Sequence, residues 1–339
     1  MPINSPTIFI LKYRALGDSI MGLSTISYLR SIYPDSKIYY GIRSWTALLY
    51  NCVGSDADGI FPIRLESVSD FFKMWGLYRS LKIDHIHELH LSGRTKRFCS
   101  AYSALTGTRY TYHNHHVKGG GPVHDQGVTK ALIQRDLDGV YSFLGKDHDL
   151  PNYLEYPPKM DIEPVEKKKW ILFGVVATRA TKMWPLSYYV ELARRIKQFY
   201  PSFQIVVPLS KSEEDQRIQK RLESLDQNRN LTLVCEHLSK LPGLFKSSGL
   251  YIGNDTGLKH LAVACGIKTY TFFGPEPPHE WHPYDPEQHP YFYIEALECR
   301  TREKHYCGLS VCDSMICMKK SGVADVFEKI RNDFDLKLV

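Results

Sequence analysis

The sequence predicts an α/β protein made of two parallel-sheet, Rossmann-like halves. Three observations predict it. Short apolar strands alternate with amphipathic helices from the N-terminus onward; a proline-rich stretch interrupts them near the middle; the alternation then restarts. A chain of 339 residues is long for one core and comfortable for two.

The first half opens with an apolar run at residues 7–13, which reads as a strand. The loop Arg14-Ala15-Leu16-Gly17-Asp18 follows, then an amphipathic helix through about Ile32. After the turn signal Pro34-Asp35 comes a strand at 37–42, and helices are expected near 46–52 and 68–81. A strand at 83–89 and a helix near 95–105 continue the pattern. Residues 113–124 are polar and His-rich around Gly119-Gly120-Gly121-Pro122, which predicts a loop, and a helix at about 128–144 closes this half.

Residues 151–166 hold four prolines and little periodicity, as expected of an interdomain linker. The second half then repeats the theme. A strand at 170–176 leads to a helix begun by Pro185, whose fixed φ and missing N–H suit a first helical position. Strands follow at 204–208, 231–235, 250–253 and 268–273, with helices at 213–225, 241–247 and 258–265 between them. The expected domains are 1–155 and 156–322, with a C-terminal helix in 323–339 packing back on the first domain. Two such sheets are expected to face each other across a cleft at the carboxyl ends of their strands, where open α/β sheets place ligands.

Composition narrows the function classes. Hydrophobic residues at 43% and charged residues at 24% exclude a disordered chain. The excess of 43 basic over 37 acidic residues, +6, suits an anionic substrate or an anionic membrane surface and is too small to argue for nucleic acid. No run approaches the roughly 18 apolar residues of a membrane span. The N-terminus lacks the marks of a signal peptide, so a cytoplasmic location with reduced thiols is expected. Walker, Gly-x-Gly-x-x-Gly and Gly-x-Ser-x-Gly motifs are all missing.

Three segments carry candidate chemistry. In Gly253-Asn254-Asp255-Thr256-Gly257-Leu258 an apolar strand runs into a polar turn and a helix start, whose first amides lack intrahelical partners and attract phosphate. Asp255 or Thr256 could equally serve as a plain helix cap. Asp18 lies just after the first strand, where a carboxylate could deprotonate a hydroxyl or merely cap the next helix. Lys182 lies before the helix begun by Pro185, where an ammonium could meet a phosphate oxygen or simply face solvent. His85, His87 and His90 lie along a predicted strand with no acidic or Cys partner and read as structural.

Together these segments resemble glycosyltransferase family 9, the lipopolysaccharide heptosyltransferases. Arg14, Leu16, Gly17 and Asp18 match the family's Arg-x-Leu-Gly-Asp loop. Thr181, Lys182, Trp184 and Pro185 match its Thr-Lys-x-Trp-Pro turn. Gly253, Asp255, Thr256, Gly257, His260 and Leu261 match its Gly-x-Asp-Ser/Thr-Gly-x-x-His-Leu signature, and Phe273-Gly274-Pro275 its Phe-Gly-Pro. Four motifs in order span nearly the whole chain.

The resemblance implies a GT-B fold, an ADP-heptose donor and transfer with inversion. It implies Asp18 as general base. It implies Lys182 with the amides of Thr256, Gly257 and Leu258 as stabilisers of the leaving diphosphate, with Asp255 and His260 in the same donor site. Glu213 and Glu214 are the candidates for the nucleoside; Arg14, His115, His116 and Lys118 are the candidates for an anionic glycan or lipid-linked acceptor. Contact with the inner membrane would be peripheral, and no cofactor is required. Leu209-Ser210 stands where the family often has Gly beside the purine, which keeps a GDP or UDP donor as the alternative, with a non-catalytic nucleotide-binding scaffold as the third reading. Cys299, Cys307, Cys312 and Cys317 resemble the Cys-rich stretch of many family members and are either structural thiols or weak candidates for a structural metal.

Overall fold

The computed structural model describes residues 5–117, 120–144, 148–299, 307, 309 and 311–333, and the chain divides into two compact units, 1–161 and 162–339.

The first unit holds a five-stranded sheet of β1 (Ile8–Lys12), β2 (Ile38–Arg43), β3 (Gly59–Ile63), β4 (His85–Glu88) and β5 (Arg109–Tyr112) in the order β3-β2-β1-β4-β5. Every pairing is parallel. All five residues of β1 are buried, as a central strand covered on both faces requires. The edge strands β3 and β5 are absent from the sequence expectation. β3 carries Pro62, which an edge position tolerates because no ladder donor is needed on its outer side.

The second unit holds β6 (Trp170–Gly174), β7 (Gln204–Leu209), β8 (Leu231–Cys235), β9 (Leu250–Asn254), β10 (Lys268–Phe272) and β11 (Tyr291–Phe292) in the order β11-β10-β9-β6-β7-β8, again all parallel. Its core joins Ile171, Phe173, Ile205, Ile252 and Phe272 to Trp184, whose ring stacks on Phe272 at 4.2 Å. The C-terminal helix Val323–Asp333 buries Val326, Phe327 and Ile330 in this same core, with Phe327 5.2 Å from Phe199 of the helix Leu186–Phe199. This corrects the expectation that the helix returns to the first domain: its apolar stripe is used up within the second.

Both sheets reverse direction beside their first strand. β1 has β2 on one side and β4 on the other, and β6 has β7 on one side and β9 on the other. Crossovers leave such a switch point toward opposite faces, so a crevice opens at the carboxyl ends of the two strands. The segments after β1 and β6 therefore emerge at crevices; the first leads into the helix Leu16–Met21, which carries Asp18, and the second contains the 3-10 turn that carries Lys182. Among the described residues, no helix is long and apolar enough to cross a membrane.

Candidate functional site

In the second unit the site forms where the loops after β6 and β9 meet. Gly174 and Gly253 are register partners, and both touch the same phenol. A Cβ on Gly174 would lie 1.9 Å from the Tyr251 hydroxyl oxygen and one on Gly253 2.4 Å from it, so only glycine fits either position with Tyr251 in place. Beyond them, buried Asn254 ties the two loops together. Its Oδ1 accepts from the Trp184 amide at 2.9 Å and from the Tyr189 hydroxyl at 3.1 Å, and its Nδ2 donates to Val175 O at 2.8 Å.

That tie places Lys182, the last residue of the short 3-10 turn Ala180–Lys182, against the buried Asp255. Lys182 Nζ donates to Asp255 Oδ2 at 2.7 Å, and Lys259 Nζ donates to Asp255 Oδ1 at 2.6 Å. Lys259 is fully buried, donates also to Trp281 O at 2.7 Å, and lies 4.8 Å from the centre of the Phe273 ring. Burial works to raise the Asp255 carboxyl, but the Lys259 and Lys182 ammoniums outweigh it and hold the group well below the usual carboxylate range. Burial pushes Lys259 down to about 8 in spite of Asp255.

Thr256 stands at the N-cap of the helix Gly257–Ala264 with extended backbone and no side-chain cap bond, and Thr256, Gly257 and Leu258 are all partly exposed. The start of this helix is thus open to a ligand, with Lys182 at its edge. The C-terminal tail braces the lysine turn from behind. Thr181 Oγ1 donates to Leu309 O at 2.7 Å, Trp184 Nε1 donates to Ser321 O at 2.9 Å, and Met318 packs on Gly274.

In the first unit, Asp18 occupies the third position of the helix Leu16–Met21, whose N-cap is Ala15 and which has no side-chain cap bond there. Its carboxylate is nearly buried and lies 3.8 Å from Arg14 Nε, an ion-pair distance beyond a hydrogen bond. Asp18 lines a small pocket with Lys12, His87, His90, His115, Arg135 and Asp136. Lys12 and Asp136 are themselves buried and ion-paired. Burial lowers His87 well below its ordinary value and also lowers His90, so the imidazoles beside Asp18 favour their neutral form. His87 and His90 are the residues here that sequence reasoning set aside. The available signal was the place of His87 on β4 and of His90 two residues beyond its end, since β4 borders β1 at the switch point.

The remaining candidates are placed as follows. His115 and His116 gather on Asp125, with the His116 pair at 3.1 Å and the His115 pair at 3.9 Å, while Lys118 lies outside the described residues. The ligand atoms of His115, His116 and Asp125 fall within 4.8 Å of one another, but Arg135 Nε, 3.8 Å from the same carboxylate, already supplies a cation there. Glu213 and Glu214 open the helix Glu213–Leu225 beyond β7, exposed and within 3.8 and 3.6 Å of Arg217. His260 is buried, hydrogen-bonded to the Tyr284 hydroxyl, and lowered well below its ordinary value by burial. Among the described residues, none of Cys299, Cys307, Cys312 and Cys317 belongs to a metal-compatible cluster.

Residues 132–308 match the family model described as glycosyltransferase family 9 (heptosyltransferase). No curated protein matches the chain by sequence. Among solved structures, the fold is similar to the E. coli ADP-heptose lipopolysaccharide heptosyltransferase II, with a TM-score of 0.70 at 18% identity over 98% of this chain and 100% of that one. It is similar to a family 9 glycosyltransferase from Veillonella parvula, with a TM-score of 0.73 at 16% identity over 97% and 98%. It is also similar to the E. coli heptosyltransferase WaaC with ADP, with a TM-score of 0.65 at 13% identity over 96% and 99%. These likenesses establish a GT-B fold of two Rossmann-like domains.

Proposed function

The chain belongs to glycosyltransferase family 9, the heptosyltransferase family, and on that premise we propose that it moves a heptose from ADP-heptose to an anionic glycan acceptor with inversion at the anomeric carbon. The observation that carries the donor half is the open start of the helix Gly257–Ala264 with Lys182 held 2.7 Å from Asp255 at its edge. A diphosphate there would meet helix amides and an ammonium, which together offset its charge without a metal. In the first domain, Asp18 is the general base: nearly buried and set in a pocket with His87 and His90, which burial shifts toward their neutral form.

The reaction balances with these groups. The acceptor hydroxyl oxygen forms a bond to the anomeric carbon and gives its proton to Asp18. The bond from that carbon to the diphosphate oxygen breaks, and ADP leaves with the electron pair, stabilised by Lys182 and the amides of Thr256, Gly257 and Leu258. Arg14, His115 and His116 are the acceptor contacts in this scheme. The acceptor would be a lipopolysaccharide-core or related glycan presented at the inner membrane face, with the enzyme cytoplasmic and peripheral.

The test is a thermal-shift panel with ADP, GDP, UDP and ADP-heptose. ADP and ADP-heptose at about 100 times their Kd should each add about 2.7 kcal/mol of stability, with GDP and UDP adding less. A larger shift with GDP or UDP would move the donor to that base, and no shift with any nucleotide would favour a scaffold.

A further inference from the structure

We propose that Lys259 is a positioning residue for the donor diphosphate, acting through Asp255 to free Lys182 for the phosphates. This deepens the reading above and rests on it. The family motif leaves position 259 open, between the helix start and His260, so the motif itself assigns the lysine no role. It is fully buried and spans two acceptors, Asp255 Oδ1 at 2.6 Å and Trp281 O at 2.7 Å.

The argument is one of charge. Lys182 holds the other oxygen of Asp255 at 2.7 Å. If Lys182 were its sole counterion, turning that ammonium toward a phosphate would strand a buried carboxylate, which is strongly unfavourable. Lys259 removes the conflict: two ammoniums on one carboxylate leave a net +1, and the surplus charge sits on Lys182, the more exposed of the two lysines. The other groups near the pair do not replace this. Glu276 feels both Lys182 and Arg179 but is ion-paired with Arg179, with Glu280 beyond it, and burial shifts His260, His282 and His289 toward their neutral forms.

Protonation of Lys259 is then part of donor binding. Since burial brings it down to about 8, raising the pH through that value removes the second cation and binds Lys182 back to Asp255.

The experiment is ADP titration by calorimetry between pH 7.5 and 9.5, where the charge of ADP itself is constant, on the wild type and on Lys259→Met. The wild type should lose about tenfold in affinity across that range. The variant should bind at least tenfold more weakly at pH 7.5 and show a flat profile. A flat wild-type profile, or a variant whose profile falls in parallel with the wild type, overturns the inference while leaving the donor site intact. Should the variant not fold, the wild-type profile decides alone. No ADP binding by the wild type at any pH would instead remove the donor-site reading, and this inference with it.

Discussion

The Oδ1 of Asn254 accepts the backbone N–H of Trp184 at 2.9 Å, so one buried side chain at the end of β9 holds the turn that carries Lys182 after β6. Asn254 is completely buried and uses both ends of its amide, with Tyr189 and Val175 as its other partners. Replacing it by Ala leaves the Trp184 N–H and the Val175 carbonyl without this partner, while the Tyr189 hydroxyl keeps Gly174 O at 3.2 Å. The expected loss is about 2–4 kcal/mol of stability, read as a lower Tm. ADP affinity should fall with it, because the lysine turn loses its tie to the helix start. Full ADP affinity in Asn254→Ala would show that the tail contacts at Thr181 and Trp184 hold the turn unaided.

Asn254 also marks the boundary of what the sequence could show. Its neighbours Gly253, Asp255, Thr256 and Gly257 are legible because strand, turn and helix start each demand particular residue types there. Asn254 occupies an open position of the motif, and its partners lie 65 to 79 residues away in the chain. The same holds for Lys259, whose importance rests on burial and not on spacing. The two-domain fold was legible because apolar strands and amphipathic helices differ in period, and because the prolines of 151–166 interrupt them. The edge strands escaped because they are short and half exposed: β5 is Arg-Tyr-Thr-Tyr, and β3 contains Pro62. The C-terminal helix was placed on the wrong neighbour because an apolar stripe specifies that a face is covered and not by what.

The buried ion pair of Lys12 and Asp136 makes a second prediction. Both side chains are almost inaccessible, and Lys12 ends the central strand β1 in the pocket that contains Asp18. Removing one partner leaves an uncompensated buried charge. Asp136→Ala should therefore cost about 3–5 kcal/mol, measurable by urea unfolding. The double change Lys12→Met with Asp136→Leu should recover most of it, since apolar groups of similar volume carry no stranded charge. A double variant no more stable than Asp136→Ala would locate the cost in packing.

Buried histidines set the acid limit of the fold. Burial lowers His85 and His282 to about 3 and His289 to about 4. An unfolded chain protonates these rings near 6.5. Between those values the unfolded state binds more protons, so stability is complete above about pH 6.5 and is lost as the pH falls toward 4. At pH 5 each such ring costs about 2 kcal/mol, against a typical total of about 5–15 kcal/mol. Thermal melts from pH 7.5 to 4.5 should show a steep fall in Tm, made shallower by His282→Asn. A Tm that stays level to pH 4.5 would mean that these rings are protonated in the folded protein.

Asp18 and Lys182 sit at the switch points of different sheets, and the two halves of the reaction can be separated on that basis. Asp18→Asn keeps the shape of the carboxylate and its place in the helix Leu16–Met21, but it removes the proposed base. Turnover should fall by about 10²–10⁴, with ADP affinity unchanged, because the loss is confined to proton transfer. Lys182→Met should do the reverse in binding: ADP weakens, and Asp255 keeps a single counterion in Lys259. Measuring kcat together with ADP inhibition for both variants distinguishes the roles. If Asp18→Asn retained full kcat, the proton would have to leave by another group of the same pocket, and His90, which burial keeps toward its neutral form, would be the residue to replace next.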